Sequence, residues 1–148
     1  MKKILKTLFI TIAAIVLISV IYNVYTGYSM YREAVNKYDV IRKIDDIRKK
    51  DGYLKKEDIQ TDFTNAIIAI EDRKFYEHGA ISFSAILRAT LTNIQTMNLT
   101  EGGSTITQQL SKNLYFTNEK RFSRKIAEIF VSLKLEKQYS KDEIIELY

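Results

Sequence analysis

The chain has 148 residues, with 5 Gly, no Pro, no Cys, one His and a formal net charge of +5. That length allows one domain with a modest core. Without Cys there are no disulfides, thiol nucleophiles or thiolate metal sites, a lone His gives no basis for a His-rich metal centre, and the lack of Pro favours helices over rigid loops.

Charge is unevenly spread. Residues 1–50 carry ten Lys/Arg against four Asp/Glu, while residues 51–148 carry thirteen against fourteen. A nucleic-acid binder wears its cations on the folded domain, so no nucleic-acid partner is expected. Basic residues beside a membrane segment account for the excess more simply.

No charge occurs between Lys6 and Arg32, and the stretch LFITIAAIVLISVIYNVY is apolar or aromatic with few polar interruptions. It approaches the minimum length of a bilayer-spanning helix. Lys2, Lys3 and Lys6 precede it, which predicts a cytoplasmic tail with the remainder outside, and Tyr22, Tyr25 and Tyr28 fall where an interfacial aromatic belt sits. A cleaved signal peptide needs small residues spaced like A-x-A after the apolar core. Only Gly27-Tyr28-Ser29 approaches that pattern, so an uncleaved anchor is expected.

Beyond the anchor, Ala34, Tyr38, Ile41, Ile44 and Ile47 predict one amphipathic helix over 31–50, ended by Asp51-Gly52. Thr61-Asp62 opens the helix that contains Glu71. Ser82 or Ser84 opens another, with Ile86, Leu87, Thr90, Leu91 and Ile94 on one face. Gly102-Gly103 breaks the chain, and Thr105 with Gln108 has capping-box spacing, as does Ser140 with Glu143. Asn118 is the expected cap of a long helix with an apolar stripe of Phe122, Ile126, Ile129, Phe130 and Leu133. No strand-like alternation, internal repeat or low-complexity run competes with this helical pattern.

Three polar groups stand out. Glu71-Asp72 would ordinarily be solvated surface, but Ile67, Ile68 and Phe75 lie one helical turn from Glu71. Partial burial there would disfavour the charged carboxylate and suit it to act as a general base. Glu77 is expected to pair with Arg73 on the surface, and His78, before Gly79, has at least as good a structural explanation as a catalytic one. The second group is GGSTITQQLSKN: Thr105, Gln108, Gln109 and Lys112 form an amide-and-hydroxyl stripe suited to a polar ligand, and the amides after Gly102-Gly103 could take an anion. In the third, KRFSRKIAE, Arg121, Arg124, Lys125 and Glu128 form a stripe opposite the apolar one. Lys112 to Lys137 holds seven cations against three carboxylates. A solvated face explains such a stripe, and so does a phosphate or diphosphate site, which Arg grips through bidentate hydrogen bonds.

Taken in order, these stretches resemble the peptidoglycan glycosyltransferase (transglycosylase) family, found in monofunctional wall polymerases and in class A penicillin-binding proteins. The family's E-D-x-x-F-x-x-H, G-x-S-T-x-x-Q-Q-x-x-K-N, R-K-x-x-E and K-x-x-I-L-E-x-Y appear as EDRKFYEH, GGSTITQQLSKN, RKIAE and KDEIIELY. The resemblance implies a mainly α protein: one amino-terminal transmembrane helix followed by a partial lysozyme-like helical domain. The expected organisation is a cytoplasmic tail (1–6), an anchor (7–28), a juxtamembrane helix and connector (29–60), and a glycosyltransferase domain (61–148) that is incomplete at its carboxyl end.

The resemblance also implies polymerisation of lipid II at the outer face of a bacterial cytoplasmic membrane, with the lipid diphosphate of the growing glycan as leaving group. By the same likeness Glu71 is the general base and Glu128 the catalytic carboxylate at the donor site. Asp72, Ser104, Thr105, Gln108, Gln109, Lys112, Asn113, Lys120, Arg121, Arg124 and Lys125 are expected to bind substrate. Phe75, His78 and Glu146 are structural or accessory. No cofactor is required by the sequence, although a divalent cation (Mg or Mn) could accompany the diphosphate. Expected partners are lipid II, the growing glycan, the membrane, and division or elongation machinery.

Two departures stand out. Ala80, with Gly79 beside it, occupies the place where the family has Gly after the first motif. Lys120, with Arg121 next to it, occupies the usual place of a diphosphate-binding Arg. The family's domain continues through a fifth motif, so residues 1–148 alone are expected to be a marginally stable, poorly active fragment, and the sequence leaves open whether a transpeptidase follows. The alternatives are a membrane-anchored lysozyme-like hydrolase with Glu71 as general acid, and a non-catalytic scaffold that binds lipid II.

Overall fold

The structure, a computed structural model, describes residues 2–98, 100–119 and 121–148. Its regular elements are all helical among the described residues. Lys2–Lys37 forms one helix, α1, of 36 residues, about 54 Å long at 1.5 Å per residue. A bilayer's hydrocarbon core is about 30 Å thick. By length and composition α1 is therefore sufficient to cross a membrane with turns to spare, and its apolar window packs against nothing in the protein.

The single helix expected over 31–50 is two. Its first part continues α1 to Lys37, and α2 (Val40–Arg48) starts afresh after Asp39. Asp39 is extended, with ψ 147°, and its carboxylate accepts the Ile41 N–H at 3.0 Å. The short acidic side chain offers the backbone a cap in place of a further helical turn. The break also re-aims the apolar face: Val40 and Ile44 are fully buried, while Tyr38 and Ile41 remain exposed.

The helix α3 spans Thr61–Glu71 with Gln60 at the cap position and no side-chain cap. The helix α4 (Phe83–Thr96) is capped by Ser82, whose hydroxyl accepts the Ala85 N–H. Its expected stripe faces outward: Ile86, Leu87, Leu91 and Ile94 are exposed and Ala89 is the one buried residue. Next come α5 (Ile106–Tyr115), α6 (Phe122–Gln138) and α7 (Lys141–Leu147). Arg121, not Asn118, is the residue before α6. Ser140 and Glu143 form the complete expected capping box on α7. At α5 half of the expected box forms, because the Gln108 amide leaves the cap to donate to the Ala80 carbonyl at 3.2 Å.

The core lies where α2, α5, α6 and α7 meet, around Val40, Ile44, Phe75, Ile106, Leu110, Leu114, Val131, Leu135, Ile144 and Ile145. Small hydroxyl residues let α5 and α6 approach closely. Ser111 and Ser132 hydroxyls lie 2.8 Å apart, each also within hydrogen-bond reach of a carbonyl one turn back on its own helix. Against α7, Arg48 pairs with Glu143, and Lys56 of the connector and Tyr76 of the segment after α3 both reach Asp142.

The pairing of α1 with α6 has a readable register. A Cβ on Gly27 would lie 2.7 Å from both Ile126 Cβ and the Ser123 carbonyl oxygen. Further on, Tyr28 meets Phe130 edge-on at 5.2 Å and Tyr31 lies 5.6 Å from the same ring. Beyond the end of α1, Asp39 pairs with Lys134 at 2.9 Å. Rising numbers meet rising numbers, so α6 ascends parallel to α1 with its amino terminus at the Gly27 level.

Two predictions follow from these contacts. Gly27→Val should force the two helices apart and cost about 1–3 kcal/mol, as overpacking does. Circular dichroism melting of the detergent-solubilised protein would show this, and an unchanged midpoint would refute the close approach. The second concerns acid. A hydrogen bond from Lys56 holds the Asp142 carboxyl below its ordinary range, and the Ser140 backbone N–H does the same for Glu143. Carboxyls lowered in the folded state stabilise it above their unfolded pKa, and that stability is lost as pH falls through the folded values. Protection of α7 amides against hydrogen exchange should therefore drop relative to α5 below about pH 4; parallel loss in both helices would count against it.

Candidate functional site

The site is built around the end of α3. Asp72 leaves the helix with φ −159° and ψ 74°, so Glu71 is the last helical residue. The chain then turns through a short 3-10 segment, Phe75–Glu77, that drives Phe75 fully into the core, under the Lys141 ammonium at 4.3 Å from the ring centre. Glu71 therefore does not share a continuous apolar face with Phe75. The partial burial expected of Glu71 falls instead on Asp72, which is 8% exposed, while Glu71 itself is exposed. The same change of helix type replaces the expected Arg73–Glu77 pair with Lys74–Glu77 at 3.1 Å.

Asp72 ties three segments together. Its Oδ2 accepts the Ile106 N–H at 3.1 Å, at the first turn of α5, and its Oδ1 lies 2.7 Å from His78 Nε2. His78 Nδ1 lies 2.7 Å from the Gly79 carbonyl oxygen. The neighbouring carbonyl of Ala80, the buried residue at the departure from the family's Gly, accepts from both Thr105 Oγ1 and Gln108 Nε2. Asp72, His78, Thr105 and Gln108 are thus occupied in joining the segment after Glu71 to the start of α5. Gly103 allows the approach to that start, since a Cβ there would lie 2.9 Å from Ile86 Cα.

Above this joint opens a cleft of about 390 Å³, lined by Ile70, Glu71, Gly102, Ser104, Gln108, Gln109, Lys112, Arg124, Lys125 and Glu128. The wall facing Glu71 is a charge cluster on the first turns of α6. Glu128 is 1% exposed; one carboxylate oxygen pairs with Arg124 and the other lies 3.0 Å from Lys125. Lys125 also donates to Ser104 Oγ at 2.7 Å, and Arg124 to the Glu119 carbonyl. A buried carboxylate without cations beside it would be strongly unfavourable. With them, it holds both cations toward the cleft, where Lys112 adds a third. Across from them the Gln109 amide donates to Glu71 Oε2 at 2.7 Å.

Of the other sequence candidates, Asn113 is exposed on α5 and is not among the residues that line the cleft. Arg121 is exposed, pairs with Glu119 at 3.2 Å, and borders a separate shallow depression with Phe122, Arg124 and Lys125. Lys120 lies outside the described residues. Glu146 accepts from the Tyr53 hydroxyl and from the Lys56 N–H at 3.1 Å, and so clamps the connector. Among the described residues no three or more His, Asp or Glu side chains gather as a metal site.

Sequence reasoning missed Tyr148. Its hydroxyl donates to Gln109 Oε1 at 3.0 Å, behind the amide that reaches Glu71. Burial, and then the nearby charge of Glu71, raise its phenol above the usual value. The available signal was its place as the last residue of KDEIIELY, on a helix whose start the capping box had already fixed.

The family model described as Transglycosylase matches residues 37–148. Among curated proteins the chain is similar to penicillin-binding protein 4 of Bacillus subtilis, with 46% identity over 90 residues, 61% of this chain and 14% of that protein. It is also similar to penicillin-binding protein 1F of Bacillus subtilis, 44% identical over 91 residues, covering 62% of this chain and 13% of the relative. Penicillin-binding protein 1A of Pseudomonas aeruginosa is 44% identical over 91 residues, 62% of this chain and 11% of its own length. The matched stretch is thus a small part of each of these relatives.

Asp72→Ala should leave the buried Ile106 N–H without its charged acceptor and cost about 1.5–3 kcal/mol. Thermal unfolding checks this, and a variant that melts like the parent would contradict the role assigned to the joint.

Proposed function

The chain belongs to the transglycosylase family, and from that premise we propose that it acts as a peptidoglycan glycosyltransferase that polymerises lipid II into glycan strands. The observation that carries the reading is one cleft with an exposed carboxylate, held at one oxygen by an amide, on one wall and a carboxylate-anchored cation pair on the other. A reaction that takes a proton from a hydroxyl and expels a diphosphate needs both features.

In this reading the acceptor sugar's 4-hydroxyl gives its proton to Glu71 as its oxygen attacks the anomeric carbon of the donor with inversion. The bond from that carbon to the lipid diphosphate breaks, and the diphosphate leaves with the electron pair. Lys112, Arg124 and Lys125 neutralise the charge that develops on it, the kind of preorganised electrostatic help that dominates many such reactions. Glu128 acts through the cations it holds. Holding two large substrates in line supplies the remainder.

The parallel course of α1 and α6 supports the same reading. Arg124 and Lys125 stand near the level of Gly27 and Tyr28, where the apolar stretch of α1 gives out. With α1 in the cytoplasmic membrane, amino terminus inside, these cations lie at headgroup height, within reach of a diphosphate whose lipid tail stays in the bilayer. A divalent cation fits only as a companion of the diphosphate's own oxygens, since Mg²⁺ is usually held by one or two carboxylates plus substrate phosphates. Glu128 already faces two cations.

The test is incubation of the detergent-solubilised full-length protein with labelled lipid II. Glycan strands should form, and Glu71→Gln should slow their formation by about 10²–10⁴-fold, the usual worth of a general base. Degradation of preformed glycan without synthesis would instead make the protein a hydrolase, and lipid II binding unaltered by Glu71→Gln, without turnover, would make it a scaffold.

A further inference from the structure

We propose that Tyr148 is a positioning residue that, through Gln109, reserves one oxygen of Glu71 and leaves the other as the proton acceptor. The inference deepens the function proposed above and rests on it for the identity of the proton donor.

The geometry is a three-residue relay. Tyr148 Oη donates to Gln109 Oε1 at 3.0 Å, and Gln109 Nε2 donates to Glu71 Oε2 at 2.7 Å. A primary amide has an acceptor end and a donor end and can flip between them. While Glu71 is ionised, its own charge selects the donor end. Once Glu71 has taken a proton it becomes a donor, and a free amide could turn its oxygen to meet it. Tyr148 opposes that turn, because its hydroxyl donates to Gln109 Oε1 and the turn would break that bond and force the phenol to reorient as an acceptor. The Gln109 N–H therefore stays on Oε2, and the proton accepted from the sugar hydroxyl has Oε1 of Glu71 as its place.

Packing holds Tyr148 in place. It follows α7, whose capping box fixes the helix start, and Ile144 and Ile145 of that helix lie in the core, with Leu147 and Tyr148 packed against it. Gln109 in turn sits on α5, the helix locked to Asp72. The relay thus joins the end of α7 to α5 behind the Glu71 wall of the cleft, and a residue that sets a side-chain orientation needs such support.

Two measurements on the full-length protein test this. In lipid II polymerisation, Tyr148→Phe should lower kcat about tenfold with KM little changed, and Tyr148→Phe/Gln109→Ala should be no slower than Gln109→Ala alone, since residues acting through one another are non-additive. Losses that simply multiply would overturn the relay. The second measurement needs no turnover. The side-chain ¹H–¹⁵N amide pair of Gln109, assigned by its disappearance in Gln109→Ala, should move in both Tyr148→Phe and Glu71→Gln. If the wild-type protein makes no glycan but the amide responds to both, the proposed reaction fails and the relay stands. If the amide ignores Tyr148→Phe, the relay fails whatever the enzyme does.

Discussion

One buried carboxylate orders the region on which the cleft depends. Asp72 stops α3, receives the first-turn N–H of α5 and faces His78. Because the chain turns at that residue, Phe75 enters the core and Glu71 is left at a helix end, pointing into the open. An adjacent pair of acids thus divides into two: one member is buried in the joint, and the other is exposed on the cleft wall, held at one oxygen by Gln109. Neither could take the other's place without moving the start of α5.

The opposite wall follows a different logic. Glu128 is as deeply buried as the apolar core residues, and two cations beside it offset that burial. Pairs of this kind contribute little net stability and much geometry. The carboxylate limits where Arg124 and Lys125 can go, and Ser104 and the Glu119 carbonyl limit them further. Any anion that enters meets positive charge already aimed at it, so little is lost in reorganising side chains when it binds.

Much of this was legible in the sequence because it is local. Ser140 with Glu143, Ser82 before α4 and the break at Gly102-Gly103 depend on residues within one turn of each other. The long apolar stretch of α1 is likewise a property of contiguous residues. What could not be read depends on partners far along the chain. Asp39 ends α1 where periodicity ran straight through, because α2 must turn Val40 and Ile44 toward the core. Glu71 seemed half-buried only while its helix was assumed to continue to Phe75. The amide of Gln108 left its expected cap for a carbonyl 28 positions earlier in the chain, and Tyr148 reaches Gln109 across 39 positions. Cleft residues came mostly from the motif stripes, but spacing alone could not separate those that face the cleft from those, such as Thr105 and His78, that hold it together.

The contact at Gly27 makes α1 more than a tether. Since α6 is seated against it in register, with α1 in a membrane as proposed the height of the cleft above the bilayer would be set by how many residues of α1 precede that glycine. Each residue inserted there would raise the site by about 1.5 Å and swing it about 100° around the anchor axis. Anchor length then works as a ruler with a built-in compass, in which a change of one residue alters the direction the cleft faces far more than its distance from the lipid.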